Sequence, residues 1–223
     1  MIILTRLSGF LFLFILVLQI AMAAFGYILE PTPKHYESDA KLIKFNNYPK
    51  KFQLSVVLAV IEHCSVITLA ITLFIVFSPY NIILGIILII FRIIEGSIQV
   101  YSEKDYWRLL NIAKRYSYTI GTEKKSFIDS FRIILQTKSF RFAIAMISWS
   151  IGTLAFSIVL VIYGVVPLYI GWLGIVTSIF IGSFNGIKLA KPNSKIYEIL
   201  SSIAGLSAIL FEILIGGWLL FFS

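Results

Sequence analysis

The chain has 223 residues, of which 59% are hydrophobic and 13% are charged, with a formal net charge of +8 at pH 7. Soluble domains average about 45–50% apolar and about 25% charged residues, so this composition and a mean hydropathy of +0.93 argue against a water-soluble domain. The apolar content also excludes intrinsic disorder, and a single cysteine, Cys64, excludes an intramolecular disulfide framework. We therefore expect an integral membrane protein.

Six windows of the sequence are long and apolar enough to cross a bilayer, for which a helix needs about 20 residues. Their consecutive apolar residues lack the alternation of barrel strands, so we predict an all-α bundle of six transmembrane helices. These spans form a single polytopic membrane domain that covers the whole chain, residues 1–223. The predicted spans are residues 8–29, 54–77, 80–100, 142–163, 167–188 and 199–222.

The loops between the spans divide the positive charge unevenly. Short turns join the second span to the third and the fourth to the fifth. The longer loops, on the opposite side of the bilayer, are residues 30–52, 101–141 and 188–197. They hold all of the 19 basic residues except Arg6 and Arg92. Because short loops rich in Lys and Arg stay cytoplasmic, we predict cytoplasmic loops and outward-facing termini. An alternative is a signal peptide, which Arg6, the apolar stretch and Ala21-Met22-Ala23 resemble, and its cleavage would place the loops outside.

Loop 101–141 repeats apolar and basic residues with helical periodicity. Tyr106 and Leu109 fall on an apolar face, whereas Arg108 and Lys114 fall on a basic face. Two interpretations fit: two amphipathic interfacial helices that lie on anionic lipid headgroups and break near Gly121, or a cytoplasmic hairpin whose apolar face packs on the bundle. The aromatic residues fit an amphipathic helix better than a base-stacking platform, so we expect no binding of nucleic acid.

Five ionisable residues fall inside the predicted spans, where a charge costs at least about 2.5–3.5 kcal/mol at the bilayer centre. Arg92 and Glu95 share one face of the third span at the i, i+3 spacing. The helical rise of about 1.5 Å per residue places Arg92 and Glu212 near the midplane. The predicted charge network comprises Glu62, His63, Arg92, Glu95 and Glu212. It either fixes the register of the helices or serves the movement of an ion or proton.

The remaining motifs indicate packing rather than chemistry. A stripe of small residues in the fifth span, which lets helices approach closely, consists of Gly174, Ser178, Gly182 and Gly186. Neighbouring residues on a helix point apart, so His63 and Cys64 are not expected to act as a Cys–His pair. We interpret His63 as a polar residue of the bundle and Cys64 as a small core residue. No nucleophile motif, phosphate-binding loop or metal-ligand spacing is present in the sequence. We therefore expect no enzyme activity and no catalytic, cofactor-binding or metal-binding residues.

Several short motifs carry a resemblance to a known family. They are Arg92-Ile93-Ile94-Glu95, Pro167 followed by Gly171-Trp172-Leu173-Gly174, Phe211 to Leu220, Asp39-Ala40, Asn46-Asn47 and Phe52-Gln53. Over nearly its whole length the chain resembles the prokaryotic integral-membrane family catalogued as domain of unknown function 4386. The resemblance implies six spans and no particular activity. Two departures concern orientation: the chain has Leu168 where the family usually has a basic residue, and it ends in Phe-Phe-Ser where the family has a Lys-Gly pair. Basic residues at those positions would favour the reverse orientation, with both termini inside, whereas the charge count of this chain favours cytoplasmic loops.

Together these observations predict a multi-pass protein of the cell membrane without enzymatic activity, acting as a complex subunit or lipid-interacting scaffold. The alternative is a small secondary transporter or permease that uses its intramembrane carboxylates for ion or proton coupling. The expected partners are the bilayer, with anionic headgroups at residues 101–141, and a second copy of the chain or another membrane protein.

Overall fold

A computed structural model describes residues 1–28, 39–120, 123–190 and 196–222. The described residues form seven helices: α1 (Ile2–Ala24), α2 (Asp39–Asn47), α3 (Pro49–Phe77), α4 (Ile82–Tyr118), α5 (Glu123–Ile162), α6 (Leu168–Ala190) and α7 (Ile196–Phe221). All except the short α2 contain a stretch that is long and apolar enough to cross a membrane. The prediction of an all-α protein with six membrane-spanning helices is therefore confirmed.

The two central helices are much longer than the spans predicted within them. α4 has 37 residues and α5 has 40, which at about 1.5 Å per residue gives lengths of about 55 and 60 Å, roughly twice the apolar thickness of a bilayer. The helical periodicity predicted for residues 101–141 is therefore present in the helices that end at Tyr118 and begin at Glu123, and the break predicted near Gly121 lies outside the described residues. The amphipathic segments are continuous with the spans. The sequence prediction separated them because hydropathy shows where an apolar stretch ends and not where a helix ends.

The first helix ends earlier than predicted, at Ala24 rather than at residue 29. The cause is a Schellman motif, in which Gly26 adopts a positive φ of 89°. The Gly26 amide donates to the Ala23 carbonyl at 3.0 Å, and the Tyr27 amide donates to the Met22 carbonyl at 3.1 Å. Glycine suits this position because it has no Cβ to oppose a left-handed conformation. The chain therefore turns out of α1 at Gly26.

The contacts divide the chain into two compact units. The first unit comprises residues 1–17, 63–97 and 143–223, and the second comprises residues 18–62 and 98–142. In the first unit, Leu11 and Phe12 of α1 are buried in an apolar core with Leu73 of α3, Phe156 of α5 and Phe211 of α7. The rings of Phe12 and Phe156 stack with their centroids 6.4 Å apart. The first helix is thus an integral part of that core.

Backbone contact between α1 and α7 is a further feature of the first unit. A Cβ built on Gly9 would lie 2.6 Å from the Gly216 carbonyl oxygen and 2.8 Å from the Leu219 carbonyl carbon. A Cβ on Gly216 would lie 2.9 Å from the Cβ of Phe12. The two helices can approach this closely only because both positions lack a side chain.

Three residues of the small stripe on α6 take part in helix packing. A Cβ on Gly174 would meet the Phe211 ring at 2.6 Å, and a Cβ on Gly182 would fall on the hydroxyl of Ser150. Ser178 is fully buried, and its carbonyl accepts a hydrogen bond from the Ser150 hydroxyl at 2.6 Å. Gly186 differs, because it is exposed and a Cβ there would meet no described atom within 4 Å.

The second unit has an aromatic core. The rings of Phe45 and Phe52 lie 4.0 Å apart between centroids, and Phe52 and Tyr106 lie 5.4 Å apart. Phe131 and Leu135 of α5 are buried in the same cluster. The apolar face predicted for residues 101–141 is therefore covered by protein, which favours the packed-hairpin interpretation over two helices that present this face to lipid headgroups.

Candidate functional site

Arg92 is a buried charge of the first unit. Its Nη1 atom lies 2.7 Å from Oε2 of Glu95, one turn along α4, and both side chains are at most 5% exposed. The guanidinium carbon lies 5.9 Å from the ring centroid of Trp149 on α5. A Cβ on Gly152 would lie 2.9 Å from the Arg92 Cγ, so the aliphatic stem fills the space beside this glycine. Ion pairing, a ring face and close packing together hold the guanidinium in one place.

The other members of the predicted network are also buried. His63 and Glu212 belong to the first unit and are 3% and 9% exposed. Glu62 belongs to the second unit, where its Oε1 accepts a hydrogen bond of 3.0 Å from Nε2 of Gln19 on α1. The geometry thus brings Arg92 and Glu95 together as their spacing predicts. The joint network of all five residues stays a prediction.

Cys64 does not have the surroundings expected from the sequence. It is exposed, whereas its neighbour His63 is buried. Successive residues of an α-helix point about 100° apart, and this step takes the Cys64 side chain away from the buried side on which His63 lies. The interpretation of Cys64 as a core residue is therefore wrong.

The second unit contains a buried ionic cluster that the sequence did not reveal, which we call the lysine–tyrosine cluster (Tyr27, Glu103, Tyr106 and Lys138). The Lys138 ammonium donates to the Tyr27 hydroxyl at 2.8 Å and to Oε1 of Glu103 at 3.0 Å. The Tyr27 hydroxyl also donates to Glu103. Lys138 and Glu103 have side chains at most 5% exposed, so both partners of this ion pair are removed from water.

Two aromatic rings complete the surroundings of the Lys138 ammonium. Its nitrogen lies 3.5 Å from the ring centroid of Tyr106 and 4.6 Å from that of Tyr27. The Tyr106 hydroxyl donates to the Ile28 carbonyl, which ties the segment after α1 to α4. A cation held by one carboxylate and two ring faces is stabilised by ion pairing and by cation–π attraction. The cluster therefore joins α4, α5 and the segment that follows α1.

A small cavity lies beside the cluster. Its volume is about 10 Å³, which gives room for about one water molecule. Glu103 and Lys138 contribute to its walls together with Ile98, Gln99, Ser102 and Phe142. The arrangement can hydrate one side of the ion pair.

Nearer the surface, a second ionic group follows the apolar part of α4. Asp105 is 5% exposed and pairs with Arg141 at 2.5 Å and with Arg108 at 3.6 Å. Tyr101 is exposed, and its ring centroid lies 3.3 Å from the Lys104 nitrogen and 4.9 Å from the Arg141 guanidinium carbon. Two arginines thus pair with one carboxylate, and Lys104 adds a further positive charge beside Tyr101.

The sequence alone predicted only part of these clusters. The helical periodicity placed Tyr106 on an apolar face, but nothing in the sequence indicated that Lys138, one of the basic residues of loop 101–141, pairs with Glu103. Among the described residues, no group of three or more His, Cys, Asp or Glu side chains is placed to hold a metal ion.

Comparison with known proteins bears on the family alone. No curated protein and no solved structure matches the chain. The family model described as domain of unknown function (DUF4386) matches residues 7–222, a range that includes both glycines of the α1–α7 contact and both ionic clusters. The chain is therefore a multi-pass membrane protein that belongs to the DUF4386 family.

Proposed function

We propose that the protein is a non-enzymatic component of a prokaryotic cell membrane, acting as a subunit of a complex or as a lipid-interacting scaffold. The packing of Arg92 carries this proposal. Glu95, Trp149 and Gly152 surround its side chain and fix the charge between α4 and α5. A buried ionic group with one fixed place serves the register of helices, whereas a group that moves a substrate must change partners.

The proposed partners follow from the surface of residues 101–141. Tyr101 and Trp107 are exposed among basic residues such as Arg108. Aromatic rings beside Lys and Arg suit the boundary of a bilayer with anionic headgroups. A second copy of the chain or another membrane protein is the further partner that we propose, and nucleic acid is not one.

For the orientation, we propose that loops 30–52, 101–141 and 188–197 face the cytoplasm, because they hold all basic residues except Arg6 and Arg92. A chain with Cys64 replaced by serine and a cysteine at the exposed Ser117 tests this assignment. A maleimide that does not cross membranes should label Ser117→Cys only after the cells are permeabilised. Labelling in intact cells would mean the reverse orientation.

A second candidate function is a small secondary transporter or permease. The observation in its favour is that the carboxylates of Glu62, Glu95 and Glu212 are buried within apolar helices, where ionisable groups mark ion pathways.

One experiment separates the two candidates. The full chain is reconstituted into proteoliposomes that contain a pH-sensitive dye, and the wild type is compared with Glu212→Gln and with the control Glu123→Gln at an exposed carboxylate. Flux that disappears only in Glu212→Gln, with unchanged thermal unfolding, would establish transport. Absence of flux, a partner that copurifies, and Arg92→Ala that only lowers the yield of folded protein would support the structural role.

A further inference from the structure

The second unit contains a pocket that neither ionic cluster uses. Its volume is about 200 Å³, and it lies between the turn after α1, the helix α2 and the start of α3. The residues that line it are Ala24, Phe25, Gly26, Lys44, Phe45, Tyr48, Lys51 and Phe52. We call this site the two-lysine pocket.

The lining combines positive charge with an apolar wall. Lys44 and Lys51 are exposed, and the described lining contains no acidic residue. Lys44 lies in the last turn of α2, where the helix dipole favours a cation. The rings of Phe45 and Phe52, whose centroids lie 4.0 Å apart, are buried and form an apolar wall. The pocket therefore fits a ligand that has an anionic group and an apolar neighbour.

The size of the pocket limits the anionic part of the ligand. Pockets for drug-sized molecules measure about 300–1,000 Å³, so about 200 Å³ accommodates a compact group. The Lys51 ammonium lies 5.3 Å from the ring centroid of Tyr48, which restricts the position of the cation at the pocket. A phosphodiester with its first few attached atoms matches these dimensions and this charge.

The position of the pocket along the chain places it at the edge of the bilayer. Ala24 is the last residue of the apolar α1, and Phe52 lies two residues before the predicted apolar span 54–77 of α3. Both ends lie on the side of the membrane that carries the basic loops. Lipid phosphates lie at this depth, with their acyl chains directed toward the apolar helices.

We propose that the two-lysine pocket binds the phosphodiester headgroup of an anionic phospholipid. Lys44 and Lys51 neutralise the phosphate, and the ring wall contacts the first part of the lipid beyond it. The proposal rests on the lipid-interacting role proposed above and assigns it to one site. The apolar wall and the position beside the spans favour a lipid over a free phosphate ester.

The test measures lipid binding to the full chain in detergent by native mass spectrometry. The lipids are phosphatidylglycerol, which is anionic, and phosphatidylcholine, which is zwitterionic. The double variant K44Q/K51Q should weaken phosphatidylglycerol binding by about 10- to 30-fold, the loss expected for two basic residues at a membrane surface. The matched control K50Q/K125Q removes two exposed lysines outside the pocket and should bind like the wild type.

A second variant tests the cavity without changing any charge. Ala24→Leu places a larger side chain at a lining position while Lys44 and Lys51 remain. It should reduce phosphatidylglycerol binding and leave phosphatidylcholine binding unchanged. Because α1 ends at this residue and Ala24 is exposed, the variant folds, which a size-exclusion profile equal to that of the wild type checks.

Four results would overturn the proposal. Equal losses in K44Q/K51Q and K50Q/K125Q, or normal binding to Ala24→Leu, would show diffuse attraction between charges and leave the lipid-interacting role intact. Competition by glycerol phosphate as strong as that by phosphatidylglycerol would identify a free phosphate ester as the ligand. Equal binding of the two lipids to the wild type would remove both the site and the proposed lipid-interacting role.

Discussion

Adding one methyl group at Gly9 should destabilise the first unit. The Cβ of Gly9→Ala would lie 2.6 Å from the Gly216 carbonyl oxygen and 2.8 Å from the Leu219 carbonyl carbon. Ordinary contacts of a Cβ begin near 3.4 Å, so the two helices must move apart by several tenths of an ångström. The opposing atoms belong to the backbone and cannot rotate away, so the strain reaches the whole α1–α7 contact.

The magnitude follows from the cost of overpacking. Extra groups forced into a well-packed interior cost about 1–3 kcal/mol. For a chain of this length, about 2–4 °C of melting temperature corresponds to each kcal/mol, so Gly9→Ala should melt about 2–12 °C below the wild type. The matched control is Gly217→Ala, since a Cβ there meets no described atom within 4 Å. Alanine is the better helix former by about 1 kcal/mol in water, so this control should not melt lower.

The assay is thermal unfolding of the full chain in detergent, followed by tryptophan fluorescence and by the loss of the monodisperse peak in size-exclusion chromatography. If Gly9→Ala and Gly217→Ala melt at the same temperature, α1 and α7 do not make backbone contact at this point. The packing described for the first unit would then be incorrect.

Five further substitutions test the lysine–tyrosine cluster and the small stripe. Lys138→Met should destabilise the protein by about 3–5 kcal/mol, because it removes the cation that neutralises a buried carboxylate, and Glu103→Leu added to it should restore part of the loss in urea unfolding. Additive losses in the double variant would exclude the pairing. Tyr27→Phe removes the hydroxyl that bridges these two residues and should cost about 1–2 kcal/mol in the same assay, whereas an unchanged midpoint would mean that the bridge is not formed. Gly182→Leu should lower the melting temperature and Gly186→Leu should not, since only the first position faces Ser150, and the opposite order would contradict the packing of α6.

The six spans could be predicted because each depends on a local property, the hydrophobicity of about 20 consecutive residues. The Arg92–Glu95 pair is equally local, since an i, i+3 spacing places two side chains on one face of any helix. The pairing of Lys138 with Glu103 is different. These residues lie 35 positions apart, and their contact depends on the register of two long helices that hydropathy does not report.

The surroundings of the glycines could be predicted only in part. The four-residue spacing of the stripe on α6 identified a packing face of the helix. Gly174 and Gly182 lie on this face and pack closely against Phe211 and Ser150. The same pattern included Gly186, which packs against no described atom, because a repeat of small residues does not show how far a neighbouring helix follows it. Gly9 belongs to no such repeat. Its importance for packing follows from the close approach of the α7 backbone near Gly216.

The exposed side chain of Cys64 provides a direct way to count copies of the protein in a membrane. It is the one thiol in the sequence, and α3 turns it outward. A nitroxide attached to the unmodified chain therefore introduces one spin per molecule. Any dipolar coupling between spins then reports a neighbouring copy, and its distance distribution measures the geometry of self-association without an engineered residue.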